Sequence, residues 1–286
     1  MPRQSPRPSP KTTAAKAPRQ QLPPADPARY APTRERPLRG KARLMEHQMD
    51  IQPHRHDWGQ LVFSVTGAVR VSAGRGEAES TYIVPPSRAV WIPGGIVHAV
   101  SAIERADLRT LYLLPGLLER GDASSWQRCR VLEVSPLLRE LVLQLDTRPE
   151  GAVDMAREAL LRELVVDELR RAQTLRLGVD LPRDARLRRL CEAMLDEPAR
   201  HLSLEDWAAE IGASARTVSR LFRDELGTSF AQWRSQVLLA HALSMAARRK
   251  PMSHIAAELG YASASAFTAM VTRTVGMPPS RFFAQA

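Results

Sequence analysis

Residues Leu202 to Leu226 read LSLEDWAAEIGASARTVSRLFRDEL, and this stretch decides the C-terminal fold. Two short helices that cross steeply need a small residue where they touch, and Ala208 supplies it. Four positions on, Gly212 tolerates the positive φ that a tight turn requires. Val218 and Leu221, with Phe222 beside them, give the second helix an apolar face to lock onto the first. Ser203 and Ser214 stand where N-caps belong, their hydroxyls accepting from the free N–H groups of a first turn. On a helical wheel Arg216, Ser219, Arg220 and Arg223 gather on the side opposite that apolar face. One side of the helix holds the fold, and the other offers forked donors to a major groove. One bidentate Arg–guanine pair there is worth ~1–3 kcal/mol of discrimination. An amphipathic helix with merely solvated arginines would leave the Ala/Gly/Val/Leu spacing unexplained.

A second copy follows. Ser253 to Leu259 predicts a short helix with Ala256 at the small position and Gly260 four residues on, and Ala264 to Val275 predicts the next. The interval from glycine to first locking residue is one longer than before, from Gly260 to Phe267, so this turn is slightly extended. Phe267, Met270 and Val271 form the inner face. Ser265, Thr268, Ala269 and Thr272 form the outer one, which holds no arginine and no amide. Direct base reading by this unit is therefore expected to be sparse, with phosphate contact through Arg273 and thymine-methyl contact through Thr268 or Ala269 as the available chemistry. Between the units Ser229 to Ala247 predicts one continuous helix, and Ser229-Phe230-Ala231-Gln232 fits a capping box. Such a rod spans ~28 Å. With a half-turn at each end it sets two recognition helices about one DNA turn apart, ~34 Å, on one face of the duplex.

Residues 183–286 thus resemble the DNA-binding domain of the AraC/XylS family of bacterial regulators. The carrying stretches are Leu204 to Ala209 with Ser219 to Arg223, then Gly260 to Phe267 with Gly276 to Phe282. The resemblance implies base contacts from Arg216, Ser219 and Arg220 in the first unit and from Ser265, Thr268 and Ala269 in the second. Many relatives carry a long polar residue where Ala269 stands, which argues against strong readout by the second unit. The resemblance also implies double-stranded DNA and RNA polymerase as partners, with a small-molecule effector.

Upstream the texture changes. From Arg43 to Leu114 short apolar runs alternate with turn signals such as Thr66-Gly67, Gly74-Arg75-Gly76, Pro85-Pro86 and Pro93-Gly94-Gly95, predicting a small barrel or jelly roll. His54 and His56 share a face of an extended strand, and Gln60 has the parity to join them. With Pro93-Gly94-Gly95-Ile96-Val97-His98 they resemble the two motifs of the cupin barrels. In metal-binding cupins these positions supply three imidazoles and a carboxylate. Here Gln60 replaces the carboxylate, and the usual glycine before the first motif is absent. Three readings stay open: a divalent transition metal held by His54, His56, Gln60 and His98, histidines hydrogen-bonded in a barrel mouth, or a metal-free ligand pocket lined by imidazoles. Trp58, Trp91 and Tyr82 either line that pocket or belong to the core. The element His56 to Leu61 with Trp91-Ile92-Pro93 also resembles regulators of drug-efflux or nitroimidazole-resistance transporters.

The remaining features bound the reading. The 286 residues suit two domains, and the formal net charge of +10 is mostly a property of the first 43 residues, which carry a net +9. Residues 44–181 carry a net −3 and residues 182–286 a net +4, the latter agreeing with a phosphate-facing surface. Residues 1–36 mix proline with Arg, Lys, Ser, Gln and Ala and predict a disordered basic tail, either merely solvated or a non-specific DNA-affinity arm. Residues 37–120 form the expected cupin-like sensor barrel. Helical periodicity from Ser135 to Leu177 marks 121–180 as a helical region for core packing, dimerisation or both, and Gly178 to Pro182 read as the linker to the double helix-turn-helix domain at 181–286. The fold class is α+β, a cupin-like β-barrel followed by an all-α domain. No run of apolar residues spans a membrane, no leader is recognisable, and Cys129 and Cys191 lie far apart, as buried thiols of a cytoplasmic protein or, less simply, a redox pair. A one-component regulator, an activator and a homodimer, is the leading expectation, with no catalytic residues. A cupin metalloenzyme fused to a DNA-binding module and an architectural DNA protein without effector are the alternatives.

Overall fold

The computed structural model describes residues 19–74, 80–86, 88–119, 126–148, 153–175, 179–201 and 203–283. The front half is a double sheet. One sheet holds β1 (Gln20–Leu22), β3 (Met49–His54), β8 (His98–Ala102), β5 (Val69–Ala73), β6 (Ser80–Val84) and β12 (Val179–Asp180), in that spatial order. The other holds β11 (Thr174–Leu175), β10 (Arg130–Glu133), β7 (Arg88–Ile92), β4 (Gly59–Ser64), β9 (Ala106–Leu113) and β2 (Leu38–Met45). Period-2 alternation explains why both faces of β4 and β7 are apolar. Val62, Val90 and Ile92 point between the sheets with Ile51, Val71, Val100 and Leu108. Leu61, Phe63, Ala89 and Trp91 point outward, where α2 (Pro136–Gln144) and α3 (Met155–Arg171) cover them with Leu138, Leu141, Val142, Val165, Val166 and Leu169. Ser135 caps α2, and Asp154 caps α3.

Three boundaries differ from the sequence expectation. Residues 1–18 of the expected tail lie outside the described residues, but 19–36 are folded onto the barrel. Strand β1 runs parallel to β3, Arg19 pairs with Asp50 at 2.7 Å, and α1 (Pro27–Tyr30) is capped by Asp26. Long-range pairing satisfies a polar segment that composition alone assigns to solvent. Region 121–180 is not wholly helical, because β10 pairs with β7 and extends the barrel beyond residue 120. The described part of the linker is not free either. Val179 and Asp180 pair with Thr81 and Ser80 of β6, and Val179 and Leu181 are buried.

The back half holds α4 (Ala185–Asp196), α5 (Leu204–Glu210), α6 (Ala215–Leu226), α7 (Phe230–Ala247), α8 (Met252–Glu258), α9 (Ala264–Val275) and α10 (Pro279–Phe282). Its first core gathers Trp207, Ala208, Val218, Phe222 and Trp233 with Leu187, Leu190 and Met194 of α4. Its second gathers Leu238, Leu239, Ile255, Ala256, Phe267, Met270 and Val271. Helix α7 serves both cores, so it is apolar on several sides. Its N-terminus carries the full capping box of Ser229 and Gln232. Barrel residue Ile83 sits in the first helical core with Val179 and Leu181, so the two halves share buried apolar contact.

Candidate DNA-reading face and imidazole site

Ile211 is the C-cap of α5, and Gly212 turns the chain with φ of +65° before Ser214 caps α6. The backbone N–H of Ala213 returns to the Ala208 carbonyl at 2.9 Å, so the small residue and the turn close on each other. Burial of Val218 and Phe222 rotates the opposite face of α6 outward. Arg216, Arg220 and Arg223 are exposed and Ser219 is half-exposed. Arg223 donates from Nε to the Ser219 carbonyl at 3.2 Å, while Arg216 and Arg220 have no ion-pair partner among the described residues. Their forked donors are thus available to an external acceptor.

In the second unit Gly260 turns with φ of +79° and Ser263 caps α9. Ser265, Thr268, Ala269, Thr272 and Arg273 are all exposed. Ser265 shares a hydroxyl contact with Ser263 at 2.9 Å, which leaves its surface role as a short polar edge. The face is small and nearly uncharged until Arg273, one turn beyond Ala269.

The imidazoles converge at one end of the barrel. His54 ends β3 just past a register shift between Ile51 and His54, where Pro53 lacks an N–H to give to a ladder. His98 opens β8 opposite it. His56 comes from the following loop, held because its carbonyl accepts the Gly95 N–H at 2.7 Å. Gly94 allows this approach, since a Cβ there would stand 2.4 Å from the Asp57 carbonyl oxygen. Ring nitrogens of His54, His56 and His98 lie within 4.8 Å of one another.

The tautomers follow from the hydrogen bonds. Each Nδ1 faces a backbone carbonyl: His54 to Gln52 at 2.9 Å, His56 to Trp58 at 2.8 Å, and His98 to Ile96 at 2.9 Å. A carbonyl only accepts, so each Nδ1 carries the proton. With the proton on Nδ1, the remaining ring nitrogen that turns inward is Nε2, the one a metal would take. Burial pushes His98 down to about 3 and lowers His54, so both stay neutral at pH 7. Gln60, buried in β4, sets its side-chain amide 2.7 Å from His56 Nε2 and 3.0 Å from His98 Nε2 through the atom assigned as Oε1. Oxygen in that place opposes lone pair to lone pair, which a cation between them would resolve. An amide turned over, with its NH₂ donating to both rings, would resolve it too. The donor set fits a transition dication in number and convergence. It supplies no negative charge, however, and Lys41 and Arg43 line a small cavity that reaches the set only at His54 and Gln60. That cavity measures about 20 Å³, enough for one ion or water and too small for an organic molecule.

Trp58 stacks on His56 with centroids 4.7 Å apart and planes at 4°. Trp91 does not line the site. Its neighbour Ile92 pairs with Gln60, so parity turns Trp91 to the helical side, where it donates to the Trp126 carbonyl at 2.8 Å. Tyr82 is buried in the inter-sheet core. Tyr112, unmarked in the sequence reading, pairs with Gln60 in register and brings its ring to 5.7 Å from His56. The parity of Leu108 to Leu114 was the signal that could have found it.

A larger cavity of about 970 Å³ lies where barrel, α2–α3 and the end of α7 meet, lined among others by Thr66, Glu104, Arg139, Glu168 and Arg248. Two ion pairs join barrel to helices beside or near it: Glu104 with Arg248, and Arg70 with Asp196. Ser244 also donates to Glu104, at 3.2 Å, and Trp233 donates to the Asp180 carbonyl at 3.0 Å.

Residues 22–165 match the family model described as AraC-like ligand binding domain, and residues 207–285 match one described as helix-turn-helix domain. The chain is similar to the HTH-type transcriptional regulator NimR of Escherichia coli K12, at 32% identity over 81% of this chain and 82% of that one. It is 34% identical to the HTH-type transcriptional regulator RipA of Corynebacterium glutamicum over 36% of this chain and 31% of that one. A solved structure of ToxT from Vibrio cholerae is similar at 10% identity over 87% of this chain and 98% of that one, with a TM-score of 0.35.

Proposed function

Since the chain belongs to the AraC family of transcriptional regulators, which joins a ligand-binding domain to a helix-turn-helix DNA-binding domain, we propose that it reads its operator chiefly through Arg216, Ser219, Arg220 and Arg223 on α6. The single observation that carries this is two exposed guanidinium groups, Arg216 and Arg220, without ion-pair partners among the described residues, on a helix locked by buried Val218 and Phe222. Ser265, Thr268 and Ala269 on α9 face the next groove and add shape and methyl contact, with Arg273 on a phosphate. Arg216→Ala and Arg220→Ala should each cost ~1–3 kcal/mol of discrimination while leaving thermal stability unchanged. Footprints from both variants that match the wild type would sink this assignment.

An organic effector is proposed to seat in the 970 Å³ interdomain cavity, because the space beside the histidines is too small for one. Its contact with the Glu104–Arg248 pair would bias the position of α7 and hence the spacing of the two recognition helices. A divalent transition metal is proposed for His54, His56, His98 and Gln60, favoured by three convergent Nε2 lone pairs. Cobalt(II) titration followed by its d–d bands tests this, with His98→Ala as the control that abolishes the bands. The metal's part would be to tie the two motif loops together. On this reading the chain regulates transcription with RNA polymerase as partner and catalyses no reaction. A homodimer through α3 is part of the proposal, since Leu160 and Leu164 stand 70% and 49% exposed one turn apart on the side away from the barrel.

A further inference from the structure

The second unit poses a question that the reading of α9 does not answer: what holds it to DNA when its outer face is nearly devoid of donors. A cleft of about 490 Å³ between α7 and α9 supplies the chemistry. Its walls include Arg234 and Ser235 from α7, Tyr261 from the turn, and Ala269 and Arg273 from α9, and no carboxylate is among its lining residues. Arg273 is exposed and has no ion-pair partner among the described residues. Arg234 is half-buried, and its Nε is buried without a hydrogen-bond partner. Burial lowers the pKa of Arg234 and raises that of Tyr261, so the cleft is a partly desolvated, positively charged hollow with a neutral phenol. A buried N–H of a guanidinium left without an acceptor is costly unless one arrives to meet it.

The position of the cleft selects that anion. The first half of α7 packs against α6, with Phe230 and Phe222 ring centroids 5.5 Å apart. Phe230 also lines the cleft, which therefore runs from the end of α7 that meets α6 across to α9, and it shares Ala269 with the outer face of α9. A protein that places two helices in successive major grooves must cross the sugar–phosphate strands that flank the minor groove between them. We infer that Arg234, Ser235, Tyr261 and Arg273 form a phosphodiester seat, which clamps the strand between the two grooves and makes the second unit an anchor rather than a reader. The inference rests on the DNA-reading assignment above and extends it to a residue, Arg234, outside the recognition helices.

The test uses the full chain with two duplexes of equal length: one selected by the wild-type protein from a random library, and a scrambled version of it. Affinity is measured from about 50 to 200 mM salt. Arg234→Ala and Arg273→Ala should each weaken both duplexes by the same factor, about three- to tenfold, and make the slope of log K against log salt shallower by about 0.9. The ratio between the duplexes should not move, and Arg234→Lys should restore most of the slope. Arg216→Ala should instead collapse the ratio. Because Arg234 is half-buried, unfolding midpoints are compared, and Arg234→Gln, which keeps length and polarity but removes the charge, carries the test if Arg234→Ala is unstable. Unchanged slopes in both variants, or a changed ratio with an unchanged slope, overturn the seat while leaving the reading of α6 intact. A wild-type protein that selects no duplex overturns both.

Discussion

Replacing Gly94 by alanine tests whether the two histidine-bearing motifs are one mechanical unit. An ideal Cβ at position 94 stands 2.4 Å from the Asp57 carbonyl oxygen, 2.8 Å from its carbon and 3.3 Å from the Trp58 nitrogen. Carbon–oxygen contacts normally begin near ~3.3 Å, so backbone must yield by about 1 Å. No flexible side chain is there to give way. Forced overpacking costs about 1–3 kcal/mol. The displaced loop also carries the His56 carbonyl, whose 2.7 Å bond from the Gly95 N–H contributes about 1 kcal/mol more. Gly94→Ala should therefore lower stability by about 2–4 kcal/mol in urea unfolding. It should also weaken cobalt(II) binding, because His56 and His98 no longer close on one point. A variant within about 0.5 kcal/mol of wild type, with cobalt binding intact, would refute the clamp.

Further outcomes follow from the same geometry. His241 is half-buried, its Nε2 against the Leu195 carbonyl at 3.0 Å, and desolvation pulls it down to about 4. The unfolded chain takes up this proton near pH 6.5 while the folded chain does not until about pH 4, so the group's share of stability is lost as pH falls through that window. His241→Asn should flatten the pH dependence of the unfolding midpoint between those values, and an unaltered slope contradicts it. Leu160→Glu with Leu164→Glu should yield a monomer by light scattering with the melting temperature held, since both side chains are exposed; a persistent dimer, or a wild-type monomer, removes α3 as the seam. Ser229→Ala removes the α7 capping box and should cost about 0.5–2 kcal/mol, read by thermal unfolding.

Much of the helical half was legible because its determinants are local. Ala208, Gly212 and Val218 fix a turn within eleven residues, and Ser203, Ser214 and Ser229 each cap the helix that follows. The barrel was legible in kind but not in extent. Strands β1, β10 and β12 are only 2–4 residues long and owe their existence to partners such as Met49, Val90 and Thr81, far away in the chain. No pattern inside so short a segment announces its pairing. The imidazole set could be assembled from motif spacing, but the single-strand parity behind it does not hold: β3 ends at His54, His56 lies in the loop, and Gln60 belongs to β4 of the other sheet, from which its amide reaches His56 and His98. Parity, applied to the partner strands, would have moved Trp91 out of the site and Tyr112 into it, but it needs the register between strands, which the sequence does not print. Docking of the described linker residues onto β6 was likewise invisible, because Val179 and Leu181 are buried by Ile83, far before them in sequence, and by helices that follow them.

The claim underneath the account is that α6 and α9 enter successive grooves on one side of the duplex, with α7 as the spacer. Hydroxyl-radical footprinting of the full chain on a selected duplex measures this directly. The account predicts two protected backbone patches centred about one helical turn, ~34 Å, apart on the same face, with Arg216→Ala erasing base selectivity at only one of them. Protection confined to a single groove, or two patches on opposite faces of the duplex, would contradict it.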